Sequence, residues 1–210
     1  MSAGNGAAPL VLIVSGPSGS GKSTLVQRIL DMAGTMPSIS CTTRPQRATE
    51  SSGKCYDFVT EAEFEAMAAR GDFLEYARVF GKHAYGTPRK WLEKSRESGK
   101  DLVLEIDVQG AAQVKEKLPQ SVAIFILPPS RDELERRLRS RGQDSEEEIA
   151  RRLARARDEI REFGRYYDFC VVNDDVERAG GEVRAIVTAC RCASARNRGR
   201  VATLLESFGR

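Results

Sequence analysis

Histidine is almost missing from this chain of 210 residues: His83 stands alone. That scarcity argues against a histidine-based metal centre. The five cysteines do nothing to restore one. Cys41, Cys55, Cys170, Cys190 and Cys192 are odd in number and irregularly spaced, and the pair Cys190-Arg-Cys192 has no second close pair. A disulfide framework is excluded on the same ground, and reduced thiols in a cytoplasmic setting are expected. No apolar run approaches the roughly 18 residues of a membrane span. The opening nine residues, Met1 to Pro9, have no basic n-region and no long apolar stretch, so a short disordered tail is expected at 1–9 rather than a signal peptide. Charge of one sign is also lacking. The 33 basic and 30 acidic residues leave a net charge of +3, too balanced to argue for nucleic acid on bulk charge. What remains is 40% hydrophobic and 30% charged, the composition of a globular protein with one domain and inserted subdomains, or two small domains at most.

The strongest local signal is Gly16-Pro17-Ser18-Gly19-Ser20-Gly21-Lys22-Ser23-Thr24, which fits Gly-x4-Gly-Lys-[Ser/Thr]. It follows the apolar run Leu10-Val11-Leu12-Ile13-Val14 and leads into a helical pattern with Leu25, Val26, Ile29 and Leu30. Glycines let successive N–H groups turn inward around an anion. A helix starting near Lys22 points its positive end at the same spot. Lys22 is placed to reach β- and γ-phosphates, and the Ser23 hydroxyl to ligate Mg²⁺. A Gly/Ser linker is the plain alternative, but linkers do not usually lie between a buried-strand run and an amphipathic helix. The loop is therefore expected to bind a nucleoside triphosphate.

Apolar strands alternate with helices along the chain. Strands are expected at 10–14, 101–107, 122–127 and 169–173, and helices at 22–32, 111–117, 130–139, 145–163 and 182–191. This pattern predicts an α/β fold with a mostly parallel sheet flanked by helices. Residues 37–98 differ in texture, with short strands at 56–59 and 73–79, aromatics and polar loops, and are read as an inserted mixed α/β subdomain. Within it, Thr60 and Glu63 predict a capping box opening a helix that Gly71 stops, and Pro88 is expected at the first position of the next helix. Residues 193–210 read as a basic surface tail or helix, with Leu204, Leu205 and Phe208 as a weak docking face or simply a solvated edge.

Three groups of residues narrow the chemistry. Arg44 and Arg47 lie near Glu50 and Tyr56, and with Tyr85 they would form a second anion site; an exposed basic loop is the other reading. Glu75, Glu105 and Asp107 lie in or at the end of strands, where ligands of parallel α/β sheets collect. A carboxylate there can hold Mg²⁺, directly or through water, or accept from adjacent N–H donors. Guanine offers two such donors and adenine does not, a mismatch worth several kcal/mol. Arg137, Arg141, Arg151, Arg152 and Arg155 flank a break at 142–144, either as a mobile hairpin that closes over a transferring phosphate or as a solvated helix with pairs such as Glu148–Arg152.

Taken in order, Ser15 to Thr24, Ser40-Cys-Thr-Thr-Arg-Pro-Gln-Arg47 with Glu50 and Tyr56, Phe73-Leu-Glu-Tyr-Ala77, Tyr85-Gly-Thr87, Leu104-Glu-Ile-Asp-Val-Gln-Gly110, Arg141-Gly and Val171-Val-Asn-Asp-Asp175 resemble the guanylate kinase family over about residues 10–190. The resemblance implies a P-loop core (10–36, 99–136 and 158–192), a GMP-binding insertion (37–98) and a helical lid (137–157). It implies that residues 16–24 hold ATP phosphates with Asn173 near adenine. Ser40, Arg44, Arg47, Glu50, Tyr56 and Tyr85 would hold GMP, with Glu75 and Thr87 reading guanine. Asp107 would lie near the nucleotides and the Mg²⁺ water shell, and Arg141 and Arg152 would act from the lid. Thr87 stands where serine also occurs in the family, and Glu105 where some members carry aspartate.

The expected reaction is Mg²⁺-dependent transfer from ATP to GMP, giving ADP and GDP in purine nucleotide metabolism, with dGMP as a further acceptor. Lys22, Arg44, Arg141 and Arg152 would carry the catalysis by positioning and charge neutralisation. No nucleic-acid or membrane partner is expected, and the residues leave monomer and homo-oligomer open. A P-loop kinase for another small acceptor and a nucleotide-binding interaction module without turnover are the competing readings. Glu75 with Thr87 argues against the first, and the intact Lys22–Ser23 loop against the second.

Overall fold

The computed structural model describes residues 7–46, 51–53, 56–79, 83–140 and 145–209. In chain order the elements are β1 (Val11–Ser15), α1 (Lys22–Leu30), β2 (Thr35–Pro37), β3 (Ser40–Thr42), β4 (Tyr56–Phe58), α2 (Glu61–Ala69), β5 (Phe73–Val79), β6 (His83–Pro88) and α3 (Lys90–Ser98). They continue with β7 (Asp101–Glu105), α4 (Val108–Lys117), β8 (Val122–Leu127), α5 (Arg131–Ser140), α6 (Glu146–Arg161), α7 (Phe163–Tyr166), β9 (Phe169–Val172), α8 (Val176–Cys192) and α9 (Ser194–Phe208).

Two sheets organise the chain. The larger runs β2-β7-β1-β8-β9 and its neighbours pair in parallel throughout. β1 and β8 are apolar on both faces because both faces are covered, as a central parallel strand requires. Alternate residues of β1 serve different cores. Leu12 and Val14 pack with Leu25 and Ile29 of α1 and Ala179, Val183 and Val187 of α8. Ile13 faces the other way, onto Leu104 of β7 and Ala111 and Val114 of α4. Fully burying each such Leu or Ile contributes roughly 1.5–3 kcal/mol. The smaller sheet runs β4-β3-β6-β5, parallel at β3–β4 and antiparallel elsewhere. Its own core gathers Cys41, Phe64, Phe73 and Ala84.

Most expected elements are present, and the differences have local causes. The capping box forms as expected, with Thr60 accepting from the Glu63 N–H and Glu63 reaching back. Pro88 does not open a helix. It ends β6 opposite Phe73, and α3 starts after Arg89. The ring needs only its own φ and no donor, which the last residue of a strand satisfies. The core has a fifth strand, β2, which three residues are too short to announce by periodicity; its Pro37 sits at the sheet edge. α3, which the sequence groups with the insertion, packs Trp91 and Leu92 onto the core. The boundaries expected at 136/137 and 157/158 fall inside the continuous helices α5 and α6. α8 starts earlier than expected, with Asp175 accepting from the Arg178 N–H. Residues 193–210 form the helix α9 over most of their length, and none of its residues is buried. Of the tail expected at 1–9, residues 1–6 lie outside the described residues.

One buried carboxylate ties the sheet to the helical layer. Asp101 accepts from the Leu10 N–H at 2.7 Å and from Arg191 Nε at 2.7 Å, joining the entry to β1, β7 and the end of α8. Asp101→Ala strands a buried N–H and an arginine. We expect it to cost about 2–4 kcal/mol in urea denaturation, and a loss under about 1 kcal/mol would show that the bridge is not structural.

Candidate functional site

The loop after β1 is built around two close approaches. Gly16 has φ +139°, and a Cβ there would lie 2.3 Å from the Ile126 carbonyl oxygen of β8. Gly21 has φ +89°, and a Cβ would lie 2.1 Å from Nδ2 of Asn173. Only glycine permits either the dihedral or the approach. Gly21 is also the N-cap of α1; it offers no side chain to cap the helix, and the first turn holds no acid. The N–H groups of that turn are thus left for an anion. Two groups hold the loop from behind. The Asn173 side chain donates to the Ser20 carbonyl at 2.8 Å, and Arg137 donates to the Asn173 carbonyl at 2.8 Å. Lys22 Nζ lies over the loop, donating to the carbonyls of Gly16 at 2.6 Å and Pro17 at 2.9 Å.

The loop forms one wall of a cleft of ≈ 510 Å³. Gly16, Ser18, Gly19, Gly21, Lys22, Ser23 and Thr24 border it, together with Ser40, Arg44, Tyr56, Glu75, Tyr85, Asp107 and Arg152. Fourteen expected residues from seven separate stretches therefore share one cavity. Pro17 is not among the lining residues, Ser20 is fully buried within the loop, and Thr87 lies behind Glu75. Asn173 sits beneath the loop. Arg47, Glu50 and Arg141 lie outside the described residues.

On the wall made by the smaller sheet, Arg44 lies 5.7 Å from the Tyr56 ring centroid and 5.7 Å from that of Phe58. The Tyr56 and Tyr85 rings meet edge to face at 5.7 Å. Deeper in, Thr87 donates to Glu75 Oε1 at 2.6 Å and lies 3.2 Å from the Ser40 hydroxyl. Thr87 has one proton and gives it to Glu75, so Ser40 is the donor to Thr87. Glu75 is 5% exposed, and burial pushes its carboxyl up from 4.5 to about 7, opposed by the Thr87 hydrogen bond and reinforced by the Asp107 charge.

At the end of β7, the Ser23 hydroxyl donates to Glu105 Oε1 at 2.7 Å. Asp107 caps α4, accepting from the N–H groups of Gln109 and Gly110. Its second oxygen accepts from Arg155 at 2.9 Å, and Arg155 also binds Glu159 at 2.7 Å. α6 touches the loop as well, through Arg152 to the Ser18 hydroxyl at 3.3 Å. Glu105, Arg155 and Glu159 also line the cleft. Sequence reasoning named Glu105 without giving it a contact, set Arg155 among solvated lid arginines and passed over Glu159. The available signal was spacing: 152, 155 and 159 fall on one helical face.

A glycine-rich loop between the first strand of a parallel sheet and its helix, flanked across the cleft by a second small sheet and α6, defines a P-loop α/β protein of the nucleotide-binding type. The family model described as guanylate kinase matches residues 8–190. Guanylate kinase from Neisseria gonorrhoeae is 51% identical over 94% of this chain and 96% of its own, and that from Vibrio parahaemolyticus is 47% identical over 93% and 95%. The crystal structure of guanylate kinase from Anaplasma phagocytophilum superposes with a TM-score of 0.78 at 34% identity, covering 98% of this chain and 97% of that one. This chain belongs to the guanylate kinase family.

The Glu75 environment has a measurable consequence. Its carboxyl binds a proton more tightly in the folded chain than in the unfolded one, so its contribution to stability is complete below about pH 4.5 and is lost as pH rises through about 7. The unfolding free energy of Glu75→Gln minus that of wild type should rise by about 3 kcal/mol between pH 4.5 and 8. Urea denaturation at several pH values reads this, and a pH-independent difference would refute the buried neutral carboxyl.

Proposed function

We propose that this protein transfers the γ-phosphoryl group of ATP to a phosphate oxygen of GMP, giving ADP and GDP, with dGMP as a second acceptor. The observation that carries the reading is the cleft with two unlike walls: an anion-holding loop on one side and, on the other, an arginine–tyrosine cluster leading to a buried carboxylate. The carboxylate of Glu75 suits a base edge with two adjacent N–H donors, which guanine has and adenine lacks. Family membership supports the same assignment.

In this reading residues 10–36, 99–136 and 158–192 form the core, 37–98 the GMP-binding insertion and 137–157 the lid. The loop 16–24 grips the β- and γ-phosphates, with Asn173 on the adenine side. Ser40, Arg44, Arg47, Glu50, Tyr56 and Tyr85 hold GMP, the arginines and tyrosines at its phosphate. The acceptor oxygen is ionised near neutral pH, so the transfer needs no strong base, in keeping with a cleft that contains no histidine among its lining residues. Catalysis rests on aligning two anions that repel each other. Lys22, Arg44, Arg141 and Arg152 offset that repulsion, and closure of the lid excludes water.

The donor set also fits Mg²⁺. Ser23, Glu105 and Asp107 offer hard oxygen ligands beside the loop, and among the described residues no group of three or more His, Cys, Asp or Glu gathers into a dedicated cage. Few protein ligands suit an ion that keeps waters and takes phosphate oxygens. Ser23 would hold it directly and Asp107 through water. When bound, Mg²⁺ would supply positive charge beside the phosphates that the loop holds. Among the described residues no helix is long and apolar enough to cross a membrane. The proposed reaction belongs to purine nucleotide metabolism, and the cytoplasm is proposed as its setting.

Incubation with Mg·ATP and, separately, GMP, dGMP, AMP, CMP and UMP, following ADP release, should show turnover with GMP and dGMP alone. Turnover with none of them would overturn the reading. Lys22→Ala should lower kcat by about a thousandfold or more, and a near-normal rate would remove the loop from the reaction. Glu75→Gln should reduce the preference for GMP over AMP while leaving the KM for ATP within about twofold; an unchanged preference would sink its role in reading the base.

A further inference from the structure

We infer that Gly110 sets the position of the Glu75 carboxylate, and with it the base selectivity of the acceptor pocket, by keeping the first turn of α4 bare where that carboxylate lies. The inference rests on the acceptor reading above and extends it to a residue that touches no nucleotide.

Gly110 is the third residue of α4, and its N–H is one of the two that Asp107 caps. Nothing in its backbone asks for glycine, since it is not among the residues with positive φ. Within a helix, glycine costs about 1 kcal/mol relative to alanine. Local structure would therefore favour alanine at this position. A Cβ at 110 would lie 2.6 Å from Glu75 Oε2 and 3.0 Å from Glu75 Cδ, while the next nearest atom, Ile106 Cβ, is at an ordinary 3.4 Å. The space that glycine leaves is filled by Glu75, whose carboxylate the acceptor reading places on the base.

The carboxylate is held from both sides. Glu75 lies opposite Thr87 across β5 and β6, and Thr87 donates to Oε1 at 2.6 Å. Oε2 rests against the bare turn of α4. The two oxygens belong to one rigid planar group, so moving Oε2 off a methyl at 110 also shifts Oε1 relative to Thr87. Accepting from two neighbouring donors needs both oxygens in the plane of the base, and a shift of several tenths of an ångström degrades one of the two bonds. The fold can tolerate the change, because the displaced atoms are the end of a flexible side chain and alanine favours the helix. Selectivity, rather than stability, is the property at risk.

The informative acceptor pair is GMP and IMP, which differ in the exocyclic amine that a carboxylate must reach with its second oxygen. In Gly110→Ala the ratio of kcat/KM for GMP to that for IMP should fall by about 10- to 100-fold, the loss of one hydrogen bond to a charged group. The KM for ATP should stay within about twofold and the melting temperature should not fall. Gly110→Ala/Glu75→Gln should show the same ratio as Glu75→Gln alone, because the glycine acts only through the carboxylate. Glu75→Asp, one methylene shorter, clears a methyl at 110, so adding Gly110→Ala to it should leave its ratio unchanged. This pair decides the matter even if Gly110→Ala alone folds poorly. A wild-type ratio in Gly110→Ala, or a further loss when alanine is added to Glu75→Gln or Glu75→Asp, would overturn the inference alone, provided wild type prefers GMP and Glu75→Gln does not. A wild type without a GMP preference would overturn the acceptor reading and this inference together.

Discussion

A phosphate loop works by leaving hydrogen bonds unmade. The first N–H groups of α1 carry no side-chain cap, and the turn that precedes them is threaded against the Ile126 carbonyl and the Asn173 amide with no room for a Cβ. Unsatisfied donors cost free energy unless an anion or water meets them, and the remainder of the fold makes that arrangement tolerable. The parallel sheet anchors the strand before the loop, α8 and α4 cover its two faces, and Arg137 and Asn173 brace the loop from behind. Even Lys22 lies on the loop's own carbonyls, so its positive charge stays at the mouth of the anion site.

Around that loop the charges are paired along helices, as in Arg137–Glu133 and Arg152–Glu148, and also across elements. Arg155 bridges Asp107, the cap of α4, to Glu159 on its own helix, and Arg152 reaches Ser18 of the loop. The helix expected to act as a lid is therefore joined to the core by contacts made through groups that also face the cleft. A ligand carrying several negative charges would compete for the same arginines. In the proposed reading such a ligand would couple its binding to the position of α6 through those contacts.

The opposite wall relies on burial. Glu75 and Thr87 are enclosed by the smaller sheet and α4, which makes their hydrogen bond strong and leaves the carboxyl reluctant to ionise without a partner. An exposed glutamate would accept from any donor and discriminate little. Glu75 is instead enclosed by Thr87 on one side and Gly110 on the other, the constraint on which the proposed selectivity rests.

Much of this was legible in the linear chain. Both faces of β1 and β8 are apolar, the capping box of α2 is written in Thr60 and Glu63, and the loop motif follows directly on a strand. Each depends on neighbours within a few residues, where local sterics and periodicity decide. The missed features depend on partners far away in sequence. The strand character of Thr35–Pro37 comes from pairing with β7, and Pro88 ends β6 because it faces Phe73 across the sheet. Arg155 reads as a solvated helix arginine until the fold brings it to Asp107, 48 residues away. Gly110 lies just ahead of the helix expected at 111–117 and carries no signal until Glu75, from the smaller sheet, occupies the space beside it. The order of residues alone determined the α/β class, the anion loop and the family, because these are signalled by short-range pattern. Only the tertiary structure decided which carboxylate is buried, which arginine holds which acid and which glycine leaves room, because those depend on distances between segments that sequence spacing does not contain.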